Sequence, residues 1–582
     1  MKSLIQLGNF GWGKEAMKAF KGSPATKAIR SSGICDKIKK KSKKGFSYFE
    51  YQVPENRESL VEEIYKGFSN LSKKVEIAEE YRFTKHKLGP DQATVVDTVI
   101  REAFDGNTSF LIKAYAGTGK TYVAFEYILN EIKHSFKGTI LGLCFGRLNA
   151  DDLQRKCPPN KGWDFKGFHS LAYAALARSL GNKRIVVDQF KAINKISKLP
   201  DIERLNGGDK KDQATAAITS KAIDKAVGLV MNCLVDYKDS NVLTEFLDHY
   251  WNQLASPRER ALLDYETLTE AIPSIIDQCI KDDTCHSFDE MLYLSVIRDL
   301  PFPKYDIVMI DEDQDTNPVQ IEIVDRCKKS TGRIIAIGDE NQAIFAFRGA
   351  DHKAVQNIGD KFHCKELELN VSRRNPGVIT NFLSNTFGID IQCLPGRESE
   401  GSIEDINLEE MCETVEAGDM VLCRTRSACV DSAIALINKD KSPIIVGDDS
   451  LIAELIGTAL RANADSPSVA IENLQDKEQE EENGEDINKT AIKLLEQSSS
   501  MQDYVRNIFK MLGEDTPDKI RCLTGHRSKG LEANRVFCMM ENSSFGLDTR
   551  SMKEYEAQQE RNLEYVAFSR SLDQLYLVNS QL

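Results

Sequence analysis

The chain has 582 residues, 41% of them hydrophobic and 28% charged, with a formal net charge of −13. That is an ordinary soluble composition, long enough for several domains with ample core in each. No apolar run approaches a membrane span, the first residues lack the apolar core of a secretory signal, and the 14 cysteines form no C-x-x-C pair, which argues against a zinc ribbon or a four-cysteine iron–sulfur cluster.

Scattered cysteines of this kind read as small buried hydrophobes in a reducing compartment, so the expected location is a cytoplasm or a nucleus. The net charge is unevenly spread. From Met1 to Lys44 there are twelve basic residues against two acidic ones, ending in K-I-K-K-K-S-K-K. Residues 1–45 read either as a solvated tail or as a basic arm that rests on phosphates without reading sequence. Residues 46–87 are a partly helical lead-in. Leu88-Gly89-Pro90-Asp91-Gln92 then opens a helix, with Pro and Asp as the N-terminal signal. Gln92 is either a surface residue of the first turn or an amide able to read the N6 and N7 edge of adenine.

Ser109 to Tyr115 is a short apolar run of the kind a buried strand shows. It breaks into Ala116-Gly117-Thr118-Gly119, then Lys120-Thr121, then a helical pattern. Strand, glycine-bearing turn, Lys-Thr and helix is the layout of a phosphate-binding P-loop. Small residues let backbone N–H groups curl around a phosphate, and the helix N-terminus adds partial positive charge. Lys120 is expected to neutralise the outer phosphates and Thr121 to offer its hydroxyl to Mg²⁺. The strict pattern has glycine where this chain has Ala114.

Thr139 to Phe145 reads as another strand. Gly167-Phe168-His169-Ser170 follows, and then a long helical region to about 285. Ile307 to Asp311 is an apolar strand that ends in Asp311-Glu312, and Arg333 to Asp339 repeats the form. One such carboxylate can hold Mg²⁺ while its neighbour orients the attacking water. A second set of strands is expected to begin near 364: Lys365–Leu369, Asp419–Cys423, Ile520–Thr524, Arg535–Met540 and Leu575–Val578. Strands alternating with helices predict parallel sheets. An acidic helical stretch at about 450–515 interrupts the second set; its Glu run reads as a solvated face.

These stretches together resemble a superfamily 1 helicase of the UvrD/Rep/PcrA type. L-G-P-D-Q resembles the Q motif, A-G-T-G-K-T motif I, C-F-G-R-L-N-A and G-F-H-S motifs Ia and Ib, and D-E-D-Q-D-T-N motif II. G-D-E-N-Q-A-I-F-A-F-R-G-A-D resembles motif III, L-N-V-S-R-R-N-P motif IV, T-G-H-R-S-K-G-L-E motif V and E-R-N-L-E-Y-V-A-F-S-R motif VI. They occur in family order over residues 88–570.

The resemblance implies an α/β fold of two RecA-like parallel-sheet domains, a P-loop NTPase with helical insertions. Its parts would be domain 1A (88–171 and 285–363), insertion 1B (172–284), domain 2A (364–449 and 516–582) and a small insertion 2B (450–515). It implies ATP and Mg²⁺ as cofactors. Gln92, Ala116, Gly117, Thr118, Gly119, Lys120, Thr121, Arg373 and Glu532 would bind nucleotide, and Thr121 with Asp311 the metal. Lys120, Glu312, Gln342, Arg374 and Arg570 would act in hydrolysis, the two arginines reaching the γ-phosphate from the second α/β unit; a guanidinium suits that task through its permanent charge and forked donors. Phe145, Arg147, His169, Ser170, Phe347, Arg348 and His526 would contact DNA, the two phenylalanines by stacking, which tolerates any base.

The implied activity is an ATP-driven motor that moves 3′→5′ on single-stranded DNA and unwinds tailed duplex. Rivals are a helicase–nuclease component and a motor that unwinds only with protein partners in a repair, replication or defence complex. No membrane partner is expected. Two departures stand out. Asp313 replaces an aromatic or small residue in motif II, and Arg373 stands where motif IV carries the aromatic that sandwiches adenine.

Overall fold

In this computed structural model, the described residues are 85–144, 147–255, 257–263, 265–345, 353–446, 455–459, 466–480, 486–511, 515–541, 544–547, 549–550 and 552–579, with Lys2–Ser3, Asp36–Lys41, Ser47–Val53, Leu60 and Ile64 ahead of them. The chain divides into two units. The P-loop unit comprises Glu79–Ser399 and Thr549–Tyr565; the second unit comprises Met1–Ala78, Glu400–Asp548 and Val566–Leu582.

The P-loop unit is built on six strands: β1 (Phe110–Ala114), β2 (Ile140–Cys144), β3 (Trp163–Gly167), β4 (Tyr305–Asp311), β5 (Lys328–Gly338) and β6 (Lys365–Leu369). Their order is β3-β2-β4-β5-β1-β6, and every pairing is parallel. Alternate residues serve opposite faces. Phe110, Ile112, Ile307 and Met309 pack in one core, while Leu111, Val308 and Ile310 pack in another. Both faces are therefore covered, which explains the near-continuous apolar strands. Asp311 is level with Ile337, and Ile337 with Ile112, so β1, β4 and β5 end together. Loops at the carboxyl ends of such strands are where ligands bind.

Lys365–Leu369 corrects the expected grouping of strands. It pairs with the P-loop strand, Phe110 opposite Lys365 through Ala114 opposite Leu369, rather than opening the second sheet. Only Leu369 is buried. A short edge strand carries little in its own residues to say which sheet it joins. Arg373 and Arg374, which follow it, thus lie in the P-loop unit.

Between β3 and β4 the chain is helical as expected. The P-loop unit opens with the helix α1 (Pro90–Val99), and the longest described element between β3 and β4 is α2 (Lys210–Asn232), which Asp209 caps by accepting from the Asp212 amide. α3 (Phe288–Ile297) returns the chain to the sheet, and α4 (Pro318–Cys327) follows the acidic end of β4.

The second unit holds β7 (Ser402–Asn407), β8 (Met420–Cys423), β9 (Pro443–Ile445), β10 (Ile520–Thr524), β11 (Ala533–Met540) and β12 (Ser571–Asn579). They form a parallel sheet in the order β7-β12-β11-β8-β10-β9. The interruption between β9 and β10 contains the helices Pro467–Glu480, Asp486–Glu496 and Met501–Met511. Part of the acidic run, 481–485, lies outside the described residues, as does most of the basic arm. Within that arm Asp36–Lys41 is a strand paired antiparallel with Ser47–Val53, not a free tail. No described helix is long and apolar enough to cross a membrane, and the described cysteines are free.

Candidate nucleotide-binding site

The loop after β1 turns on two glycines in the left-handed region, Gly117 (φ 74°) and Gly119 (φ 83°). Gly117 is required twice over, because a Cβ there would sit 2.5 Å from both the Ser372 hydroxyl and the Arg374 Cβ. The Thr118 hydroxyl donates to the Tyr115 carbonyl at 2.8 Å and closes the turn. Ala114, the departure from the strict pattern, is the last residue of β1; it is buried in the core and paired with Leu369. No glycine is needed at a regular strand position.

Lys120 and Thr121 open the following helix, which runs through a π-wound turn (Tyr122–Tyr127) into an α-helical one (Ile128–Ile132). The level strand ends bring the acids to them. The Thr121 hydroxyl donates to Asp311 at 3.0 Å, and the Lys120 ammonium lies 3.5 Å from Glu312. Glu312 is itself in the left-handed region (φ 55°). For a residue with a side chain that conformation costs roughly 1–3 kcal/mol and tends to occur at functional sites. Gln314 holds the loop: its amide nitrogen donates to Glu312, and its oxygen accepts the Asp339 N–H at 3.0 Å.

Burial, then the Glu312 charge, pushes the Asp311 carboxyl up to about 7. Its second oxygen is buried with no hydrogen-bond partner. A cation beside the Thr121 hydroxyl would keep that carboxylate ionised, so the residues present fit Mg²⁺. Among the described residues no group of three or more His, Cys, Asp or Glu could hold a metal; an ion held here would need further oxygen ligands from phosphate and water. Burial also raises Asp313 and Asp339. Asp313 is fully buried, and its carboxylate occupies the space that a Cβ on Gly338 would need.

Gln342 sits in a single turn after β5 and donates to Asp339 at 2.8 Å. Asp339 also accepts from the Tyr565 hydroxyl at 3.3 Å, and that hydroxyl accepts the Ala116 N–H at 2.9 Å. Tyr565 belongs to α5 (Glu554–Phe568). The Gln92 amide is spent on the protein: its nitrogen donates to the Thr118 carbonyl at 2.9 Å and its oxygen accepts the Gly89 N–H at 3.4 Å. Arg373 forks onto Asp91 at 2.7 and 3.3 Å and also donates to the Val371 and Thr118 carbonyls, while its backbone N–H donates to Gly117.

Of the expected site residues, the structure gathers Gln92, Ala116–Thr121, Asp311, Glu312, Gln342, Arg373 and Arg374 in the P-loop unit. Arg374 was expected to approach from the second unit; it packs instead against Gly117 within the first. Arg570, Glu532 and His526 belong to the second unit. Arg570 is buried, its Nε donating to the Val566 carbonyl at 2.7 Å and one terminal nitrogen to the Ser569 hydroxyl at 3.0 Å. His526 lies in the turn Gly525–Ser528, and Glu532 is exposed.

His169 is half-buried against Phe288, ring centroids 5.4 Å apart, and burial lowers its pKa; Ser170 is exposed. His169 faces a cavity of about 650 Å³ whose walls include Lys221, Asp224, Lys225, Asp289 and Phe345. Phe145, Phe347, Arg348 and the Arg147 side chain lie outside the described residues. Sequence reasoning missed the partners of the site: Asp91, Asp339, Asn562 and the Tyr565 hydroxyl. The one available signal was their place inside recognised motifs.

A phosphate loop facing the acidic end of a second strand of the same parallel sheet, in a chain with two such sheets, defines a P-loop NTPase of the RecA-like kind. Residues 98–363 match the UvrD/REP helicase N-terminal domain and residues 453–581 the UvrD-like helicase C-terminal domain. The chain belongs to the UvrD/Rep helicase family. It is 23% identical over 246 residues to F-box DNA helicase protein 1 of Schizosaccharomyces pombe, covering 41% of this chain and 26% of that one. It is 23% identical over 290 residues to DNA helicase II of Haemophilus influenzae, covering 47% of this chain and 37% of that one. Over 62 residues it is 44% identical to RecBCD enzyme subunit RecB of Mycolicibacterium smegmatis, 10% of this chain and 6% of that one. The chain thus spans well under half the length of these relatives.

Proposed function

We propose that the protein is an ATP-driven motor that translocates 3′→5′ on single-stranded DNA and unwinds tailed duplex. The observation that carries the reading is the pairing of Lys120 with Glu312 and Thr121 with Asp311 at the level carboxyl ends of the sheet strands, in a chain of this family. Lys120 would leave Glu312 for the terminal phosphates, freeing Glu312 to orient and deprotonate water. Thr121 and Asp311 would hold Mg²⁺, which when bound neutralises phosphate charge. Gln342, tethered to Asp339, would sense the γ-phosphate. Arg374 and Arg570 would stabilise charge on the transferring phosphoryl group, an effect worth about 10³–10⁵ in rate where an arginine serves that role. Glu532 would hold the ribose; His169, Ser170, Arg147, His526 and the phenylalanines would contact DNA.

A second reading has its own support. Two of the similar proteins carry names that make them parts of larger enzymes, RecB of a RecBCD enzyme and one component of an ATP-dependent helicase/nuclease. On that reading this chain is a motor that unwinds only with a partner. The test is ATP hydrolysis with and without single-stranded DNA, and strand displacement from 3′- and 5′-tailed duplexes, for the wild type and Lys120→Ala. DNA-stimulated hydrolysis lost in Lys120→Ala, with displacement from 3′ tails, supports the first reading. Stimulated hydrolysis without displacement supports the second. No stimulated hydrolysis, or displacement from 5′ tails alone, overturns the first.

A further inference from the structure

We propose that Asn562 and Tyr565, one helical turn apart on α5, are positioning residues that tie the phosphate loop to Gln342, so that the two act together in hydrolysis. This rests on the reading of the chain as a DNA-stimulated ATPase and names residues that set its rate.

The two side chains lie three positions apart and so share a face of the helix. Both are buried, Tyr565 completely and Asn562 at 5% exposure. Asn562 spends its whole amide. Its nitrogen donates to the Glu340 carbonyl at 3.1 Å and the Ala343 carbonyl at 3.0 Å, and its oxygen accepts from Gln558 at 2.9 Å. Glu340 and Ala343 bracket Gln342 in its turn, so this one side chain clamps both ends of the segment that carries the glutamine. An aspartate could not donate these bonds.

Tyr565 works one turn further along. Its hydroxyl accepts the Ala116 N–H and donates to the Asp339 carboxylate, which in turn accepts the Gln342 amide. The result is an unbroken string from a phosphate-loop amide to the glutamine side chain. Phe387 packs edge-on to the Tyr565 ring, centroids 5.4 Å apart, and fixes where the hydroxyl points. The Ala116 amide is therefore held by a side chain, and the loop shape is set from outside the loop. A shift of Gln342 is transmitted to Asp339 and to the loop through one proton-bearing oxygen, because a buried, fully satisfied network does not deform piecemeal.

The test is Tyr565→Phe, which keeps the ring and removes the hydroxyl, and Asn562→Ala, which removes the clamp. Each is measured for melting temperature, affinity for a fluorescent ADP analogue, and kcat and KM of ATP hydrolysis with single-stranded DNA. The expected result is a kcat reduced on the order of tenfold or more, with analogue affinity and KM within about twofold, and with the double variant no worse than the poorer single one because both act through Gln342. A wild-type kcat in either variant overturns the proposal, as does a loss of analogue affinity equal to the loss of kcat. If one variant does not fold, the other decides. A wild-type protein without DNA-stimulated hydrolysis sinks the functional reading first, and is seen before any variant is made.

Discussion

Both insertions read as polar and helical in sequence, and they differ in what they pack against. The first, between β3 and β4, has a core almost entirely its own. Ile196, Ile223, Val227, Leu247, Ile272 and Ile275 bury one another, with Tyr293 of α3 the contribution from outside. The second, between β9 and β10, has no separate core among the described residues. Leu455, Leu474, Leu494, Tyr504 and Ile508 pack in one cluster with Val421 of β8, Ile445 of β9 and Cys522 of β10, joined by Leu60 and Ile64 from the N-terminal region. An insertion with its own core can open without exposing the sheet. One that supplies the cover of a sheet cannot, and hydrogen exchange would see it open with the sheet.

The largest expected effect lies at the seam of the first insertion. Lys191 is buried with Glu290 of α3 at 2.6 Å, Glu290 also meets buried His286 at 3.1 Å, and Lys191 donates to the Cys279 and Asp282 carbonyls as well. Lys191→Ala strands a buried carboxylate, at a cost of about 3–5 kcal/mol. Amide protection should fall over 192–279 and be kept over 110–144; a parallel fall in both would break the comparison. Tyr504→Ala should cost a similar amount, about 3–5 kcal/mol, since the ring is fully buried and its hydroxyl donates to the Leu455 carbonyl at 2.9 Å. Here protection of β8 and β10 should fall together with that of 501–511. Intact strands beside a melted helix would show that the second insertion is separable after all.

A smaller effect depends on pH. Burial and Asp289 push the Asp224 carboxyl from 3.8 up to about 6. The folded state holds that proton more tightly than the unfolded one. Its own contribution to stability is therefore most favourable below about pH 4, falls as pH rises toward 6, and is a full penalty above it. Asp224→Asn should then stabilise the first insertion by roughly 1–2 kcal/mol at pH 7.5, allowing for solvent screening, and by nothing at pH 4. Thermal melts at both values check the sign; an equal gain at the two pH values would remove titration as the cause. The smallest effect is Ile275→Val, at about 1 kcal/mol, confined to the first insertion and leaving nucleotide affinity unchanged.

Much of this was legible in the residues. Ser109–Tyr115, Thr139–Phe145 and Ile520–Thr524 were read within a residue of the observed strands, because apolar runs bounded by glycine or acids declare themselves. Trp163–Gly167 and Ser402–Asn407 were missed. The first is short and alternates, and the second is mostly polar, so neither shows the continuous apolar signature of a buried parallel strand. Arg373 was recognised as a departure from its motif, but its fork onto Asp91 was not foreseen, since the two positions stand 282 residues apart.

What the residues determined by themselves is the phosphate loop, its Lys-Thr pair and the acidic strand end. Each is a contiguous run whose backbone demands and side-chain chemistry are local. What only the tertiary structure decided is which sheet Lys365–Leu369 joined, that Arg374 lies beside Gly117, and that Tyr565 meets Ala116 across 449 positions of chain. Those depend on how layers pack, and packing is decided by the summed burial of many side chains rather than by any one stretch.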